Sequence, residues 1–317
     1  MNLICTLLYY ILKYSGMIRL ARFMHRNKIS IIMYHQPLPE VLESHLRYLL
    51  QYYTIIQLED YVAAVREHTV GQLPRNSVIL TFDDGHRSNY SLLPIFQRYK
   101  IQPTIYLTSD IVCTQRKFWW TVPQSIGEVE SLKLIADADK NEYLNERYNF
   151  FRTKEHSAEE RQALNSTELQ EMNELVDFQS HTASHPILTQ CTTDEIMNEL
   201  GNSKRTLELL LHKPIVHLSY PNGAYNDQII AAAKAVGYQS ARTAVCGWND
   251  AKTDPFTLRI VGVSEKAYDH RFELDLLGFP LFIINIADCI GKFIRTKSLR
   301  ELQAVCPIAM RTHAQPE

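Results

Sequence analysis

The six cysteines of this 317-residue chain form no C-x-x-C pair and follow no regular spacing, so neither a zinc ribbon nor a dense disulfide framework is available to hold the fold. Cys5, Cys113, Cys191, Cys246, Cys289 and Cys306 are expected to be reduced and mostly buried packing residues. An excess of charge of one sign is also missing. The 33 Lys and Arg nearly balance 35 Asp and Glu, for a formal net charge of -2, which provides no global basic field and argues against nucleic acid as a partner. The apolar stretch at the N-terminus reaches only Leu12 before Lys13 interrupts it, well short of the about 20 residues of an ordinary spanning helix. No basic side chain precedes that stretch and no A-x-A-like site follows it, so it makes a poor signal peptide.

What is present is enough apolar residue, 45% of the chain, to bury a large core. Arg19, Arg22, Arg26 and Lys28 follow the N-terminal stretch. Residues 1–27 therefore fit an apolar and basic helix that either lies on an anionic membrane surface, as a peripheral association, or packs on the protein's own core. If the segment inserts, those basic residues favour keeping the rest of the chain on the cytoplasmic side.

From Lys28 onward short β-branched runs alternate with helical patterns. KISIIMY, YTIIQ, SVILTF and PTIYLT read as buried strands. Residues 43–51 and 58–67, and the stretch from Leu92 to Tyr99, read as the intervening helices. Residues 118–165 break the rhythm and are expected to be an insertion with some helix. Order returns with two expected capping boxes, at Thr167-Glu168-Leu169-Gln170 and Thr192-Thr193-Asp194-Glu195. IVHLSY and runs at 239–243 and 258–263 complete the strands, with Asn226 capping a helix that Gly237 closes. Repeated strand and helix imply parallel pairing and an α/β barrel, with chemistry at the carboxyl ends of the strands. A second apolar segment from Gly278 to Ile294 reads as a docking helix within a C-terminal helical extension, 266–317.

Two polar clusters fall at predicted strand ends. Thr81-Phe82-Asp83-Asp84-Gly85 places adjacent carboxylates at a turn, where both can reach one cavity by different routes. His181 and His185, four residues apart, would lie on one side of a single helical turn, and because Pro186 disfavours a long helix there, a loop-held turn is expected. Two histidines and one aspartate supply the three protein ligands of a catalytic metal, and the second aspartate is left over as a base. Phe118-Trp119-Trp120 and Trp248 are aromatic candidates for a sugar-stacking surface, with packing in the core as the plainer reading.

Together, Thr81-Phe82-Asp83-Asp84-Gly85 and His181-Thr182-Ala183-Ser184-His185-Pro186 resemble the first two motifs of the polysaccharide deacetylase family, the NodB homology domain. That resemblance covers roughly 28–265. It implies a distorted (β/α) barrel of about seven parallel strands and removal of acetyl groups from an N-acetylated glycan; a place at the cytoplasmic side of a membrane would make a lipid-linked glycan a sensible substrate. It also implies one divalent metal, zinc first and cobalt or nickel as substitutes. By the same resemblance Asp83 is the general base, and Asp84, His181 and His185 are the metal ligands. The third motif departs from the commoner pattern: Leu218-Ser219-Tyr220-Pro221-Asn222-Gly223 lacks the Arg and is similar to the form of the poly-N-acetylglucosamine deacetylase branch. The backbone N–H of Asn222 is then a candidate oxyanion donor, and Arg259 a candidate for the missing guanidinium beside Asp83. In that branch the acid histidine lies near the N-terminus, and Ile31-Ile32-Met33-Tyr34-His35 fits it. His35 becomes the candidate proton donor to the leaving amine, with His86 and His217 behind it. The competing expectations are a catalytically silent glycan-binding barrel and a hydrolase of an O-acetyl ester or another carbon–nitrogen bond at the same site. Oligomeric state is left unspecified.

Overall fold

The computed structural model describes residues 3–266 and 269–278, so the apolar segment after Gly278 and most of the expected C-terminal extension lie outside the described residues. In chain order the elements are α1 (Leu3–Tyr14), α2 (Met17–His25), β1 (Ser30–Tyr34), α3 (Pro39–Tyr52), β2 (Thr54–Ile55), α4 (Leu58–Arg66), β3 (Ser77–Phe82), α5 (Leu93–Tyr99) and β4 (Thr104–Leu107). They continue with α6 (Ile126–Leu132), α7 (Asp137–Tyr148), α8 (Ser166–Met172), β5 (Asp177–Ser180), α9 (Thr193–Leu211), β6 (His217–Ser219), α10 (Asp227–Val236), β7 (Ser240–Cys246), β8 (Leu258–Ile260) and α11 (Asp269–Leu276).

The sheet runs in the order β1-β3-β4-β5-β6-β7-β8, with β2 paired to β3. The fold is an α/β barrel of seven parallel strands, nearly closed, as the alternation of strand and helix predicts. All six residues of β3 are buried, which suits a parallel strand covered on both faces. Among the described residues no helix is long and apolar enough to cross a membrane.

Contacts divide the chain into two compact units. Among the described residues, the first holds those up to Thr81, Val245–Thr253 and those from Arg259 to Gly278. Here Ile32 pairs with Val261 in parallel and Ile31 O accepts from Val261 N at 2.8 Å, which brings the chain just after β8 alongside β1. Tyr9, Leu12 and Ile18 from α1 and α2 form a small buried cluster with Leu277. Glu273 on α11 fixes them by accepting from Tyr9 Oη at 2.8 Å and Arg22 Nη2 at 2.9 Å. The N-terminal helices thus pack one face on the protein's own core.

The second unit holds Phe82–Ala244 and Asp254–Leu258. β4 and β5 run in register from Thr104 opposite Asp177 to Leu107 opposite Ser180, and β6 aligns Ser219 with Arg242 of β7. Thr192 and Glu195 form the expected reciprocal capping box of α9, and Ile196, Leu200, Leu207 and Leu211 are its buried face. Asn226 caps α10 and Gly237, at φ 94°, ends it. The box before α8 is displaced from the expected position. Its cap is Asn165, whose side chain accepts from Glu168 N while Glu168 accepts from Asn165 N, because an Asn side chain caps as well as Thr and lies three residues before an acid.

The expected insertion holds α6 and α7 around its own cluster of Trp119, Leu132, Leu144 and Phe150. Its charge is partly interior: Lys140 donates to Asp137 at 2.5 Å, buried, with its ammonium 4.4 Å from the centre of the Trp119 ring. That pairing hides the apolar periodicity that would have marked the segment as a folded piece. Cysteine behaves differently from expectation, since Cys113 is exposed and Cys191 and Cys246 are only partly buried.

Candidate active site

β3 ends at Phe82, and the chain turns sharply two residues on, at Asp84 and Gly85. Asp84 has φ 71° and Gly85 φ 72°, and a Cβ on Gly85 would sit 2.6 Å from Leu107 Cδ2, so only glycine fits. This kink lets adjacent carboxylates point in different directions. Both are buried, at 4% and 3% exposure.

β5 delivers His181, and the loop after it is not the expected helical turn. Thr182 at φ 67° and His185 at φ 59° are both left-handed. They fold the loop back so that the two imidazole centres lie 4.7 Å apart, edge to face. Left-handed non-glycine residues are costly and persist only where the surroundings enforce them. Here the enforcement is visible. Glu199 of α9 accepts from Ala183 N at 2.9 Å, Ser184 N at 2.8 Å and Ser184 Oγ at 2.6 Å. Trp119 Nε1 donates to His185 O at 2.9 Å. Burial pushes the Glu199 carboxyl up, against the opposing pull of its Ser184 hydrogen bonds.

His181 Nδ1 donates to Ser219 O at 2.7 Å. A carbonyl only accepts, so the proton is on Nδ1 and Nε2 presents its lone pair. Nε2 lies 3.5 Å from Asp84 Oδ1, and His185 Nε2 lies 3.6 Å from the same oxygen. Ligand atoms about 2.0–2.1 Å from a tetrahedral ion are about 3.4 Å from one another, so this donor set fits one ion. Asp84, His181 and His185 are also the group of potential metal ligands found among the described residues. Burial, then the neighbouring His181, drops His185 to about 3, which keeps its ring neutral at pH 7, as a ligand requires. His86 Nε2 lies 3.1 Å from the second oxygen, Asp84 Oδ2, and so is engaged with that carboxylate. Trp120 packs on Phe118 at 4.7 Å and beside His185 at 4.2 Å, whereas Phe118 and Trp119 are core.

Asp83 meets a guanidinium, and it is that of Arg242 on β7. Arg242 Nη2 bonds both carboxylate oxygens of Asp83 and donates to Ser219 Oγ at 2.5 Å. Arg259, expected in this role, has an exposed side chain on β8, where its Cδ lies 3.0 Å from where a Cβ on Gly247 would be. The residue that sequence reasoning missed had one available signal. In Ser240-Ala241-Arg242-Thr243-Ala244 a single cation stands in a strand of small residues, and a strand buried on both faces must supply it with an anion.

Asn222 lies in the turn after β6 at φ 55°. Gly223 follows at φ 66°, with room for no Cβ, since Ala244 N and Cβ would be 2.4 Å away. His217 is a core residue, with Nδ1 2.9 Å from Ser240 Oγ. In the first unit, His35 follows β1 and is held by Glu265, which accepts from the backbone N–H and lies 3.1 Å from Nδ1. Burial alone would raise Glu265, but the hydrogen bonds and charge of His35 hold it below the ordinary carboxylate range.

The Glu199 contacts lead to a quantitative expectation. Glu199→Ala should weaken zinc affinity by roughly 10–100-fold, the usual cost of losing a group that orients metal ligands, in calorimetric titration of the metal-free protein. Unchanged affinity would show that the loop holds its left-handed form without Glu199.

A sequence profile described as "Polysaccharide deacetylase" matches residues 71–241. A Bacillus subtilis (strain 168) protein named "Putative polysaccharide deacetylase YxkH" is 24% identical over 250 residues, 75% of this chain and 72% of that one. Among solved structures, Streptococcus pyogenes deacetylase PplD in complex with acetate matches with TM-score 0.58 and 22% identity, over 79% of this chain and 96% of that one. A de-N-acetylase from Aggregatibacter actinomycetemcomitans matches with TM-score 0.56 and 15% identity, over 78% of this chain and 99% of that one. At these identities the structural likenesses establish the fold.

Proposed function

The chain belongs to the polysaccharide deacetylase family, and from that premise we propose that it hydrolyses the acetamide of an N-acetylated glycan and releases acetate. The observation that carries this reading is the joint placement of Asp84, His181 and His185 around one point, with Asp83 beside them and ion-paired to Arg242. Asp84, His181 and His185 would hold one divalent ion, zinc by the donor set and cobalt or nickel as substitutes. That ion would supply Lewis-acid polarisation and a water of lowered pKa.

The chain's own residues do the rest. Asp83 takes a proton from water as its oxygen bonds to the acetyl carbon, and Arg242 keeps that carboxylate ionised and oriented. The backbone N–H of Asn222 donates to the developing oxyanion. As the carbon–nitrogen bond breaks, His35 gives a proton to the departing nitrogen. Glu265 accepts from its Nδ1 and so leaves Nε2 to carry that proton. The basic residues around the N-terminal apolar stretch support a place at an anionic membrane surface, where a lipid-linked glycan would be the substrate at hand.

Acetate release from N-acetylglucosamine oligomers, free and lipid-linked, tests the reading. With zinc, acetate and free amine should form in equal amounts, and chelation should slow release by at least about 100-fold, restored by zinc. Release from O-acetyl esters alone would overturn the amide substrate, and no release from either would overturn the activity.

A further inference from the structure

Of the large apolar side chains that the described residues leave exposed, an unusual share lies on α1 and α2. Ile11, Tyr14, Met17, Leu20, Phe23 and Met24 are between 47% and 82% exposed. Their spacing of three and four residues puts them along one face of each helix, opposite Leu12 and Ile18, which are buried. Apolar residues scattered singly over a surface need no explanation, but a contiguous row of this kind marks a contact.

Charge identifies what the row would touch. No Asp or Glu occurs before Glu40, while Lys13, Arg19, Arg22, Arg26 and Lys28 all do. Arg22 is committed to Glu273 and Lys28 to Asp250. Lys13 donates to Tyr9 Oη at 3.0 Å, beside Glu273, whereas Arg19 and Arg26 form no ion pair with any described residue, and the Arg26 guanidinium lies over the Phe23 ring, 3.6 Å from its centre, among the exposed apolar side chains. Unpaired cations bordering an apolar face complement a surface that is apolar beneath and anionic on top. The helices are about 18 and 14 Å long at 1.5 Å per residue, and no described helix could cross a bilayer. Such helices lie in the interface plane.

We propose that the exposed face of α1 and α2 docks the protein onto an anionic lipid bilayer, its apolar row entering the headgroup boundary and Arg19 and Arg26 meeting lipid phosphates. The docking face is independent of the deacetylase reading, since binding to lipid requires no acetyl substrate.

The test is co-flotation of the full chain with vesicles of phosphatidylcholine alone or mixed with phosphatidylglycerol, with light scattering of the lipid-free protein alongside. Wild type should float with the mixed vesicles and much less with phosphatidylcholine. Leu20→Glu with Phe23→Glu should abolish flotation without changing the melting temperature, because neither side chain is in the core. Arg19→Ala with Arg26→Ala should weaken it about 30-fold, at about 5-fold for each cation near an anionic surface. The proposal fails if wild type does not float with phosphatidylglycerol or if the double glutamate variant floats as well as wild type. It also fails if light scattering shows a dimer that the glutamates dissociate while neither form binds vesicles, for the face would then belong to a second copy of the chain.

Discussion

Asp83→Asn should slow acetate release by about 1,000-fold while leaving zinc bound, a loss within the range of 10²–10⁴ usual for one positioned general base. Asparagine has nearly the same shape as aspartate but cannot take the proton from water at neutral pH. Asp83 is buried and its carboxylate is held by Arg242, so the amide should stay where the carboxylate was, with its oxygen still accepting from the guanidinium. Arg242 also donates to Ser219 Oγ at 2.5 Å and to Thr243 O at 3.1 Å, which limits the harm of leaving its charge without a full anion. Asp84→Asn is the informative contrast. It alters a member of the ligand set and should lose both zinc and activity. The pair of variants, measured by turnover and by calorimetric zinc titration, separates the two adjacent carboxylates into a base and a ligand. An Asp83→Asn enzyme that works at the wild-type rate would remove Asp83 from the chemistry.

The grouping of Asp84 with His181 and His185 was readable in the sequence because the doubled acid before a glycine and the two histidines are local patterns at strand ends. Those positions follow from strand and helix periodicity, and so did the barrel, since buried parallel strands such as β3 read as unbroken apolar runs. Backbone conformation was harder to read. Thr182 and His185 carry none of the glycine that advertises a left-handed turn, yet both adopt one, because Glu199 and Trp119 tie the loop from elsewhere in the second unit. Spacing alone therefore put the histidines on a helical turn that does not exist. Arg242 illustrates the same limit. Its partner is 159 residues away, and no local pattern pairs a lone strand arginine with a particular carboxylate. Arg259, the candidate that the missing third-motif arginine suggests, instead has an exposed side chain against which Gly247 packs.

Arg242→Met follows from that pairing and should have the larger effect on stability. Arg242 and Asp83 are both almost wholly enclosed, at 2% and 6% side-chain exposure. Removing one partner of such a pair typically costs about 3–5 kcal/mol, because the other charge is left without compensation in a poorly solvated place. The folded protein can relieve part of that cost by protonating Asp83, and a protonated Asp83 is no base. The variant should therefore lose activity as well as stability. Arg242→Lys keeps the charge but not the planar, fixed donor geometry of a guanidinium. It should recover much of the melting temperature and less of the turnover. Arg242→Met combined with Asp83→Asn removes both charges at once and should be more stable than Arg242→Met alone, with no gain in activity. Thermal melts of wild type, Arg242→Met, Asp83→Asn and the double variant, with acetate release by each, would give the coupling energy directly. Additive melting shifts in the double variant would mean that the ion pair contributes nothing beyond its separate members, and the account of Arg242 as the group that keeps Asp83 ionised would have to be abandoned.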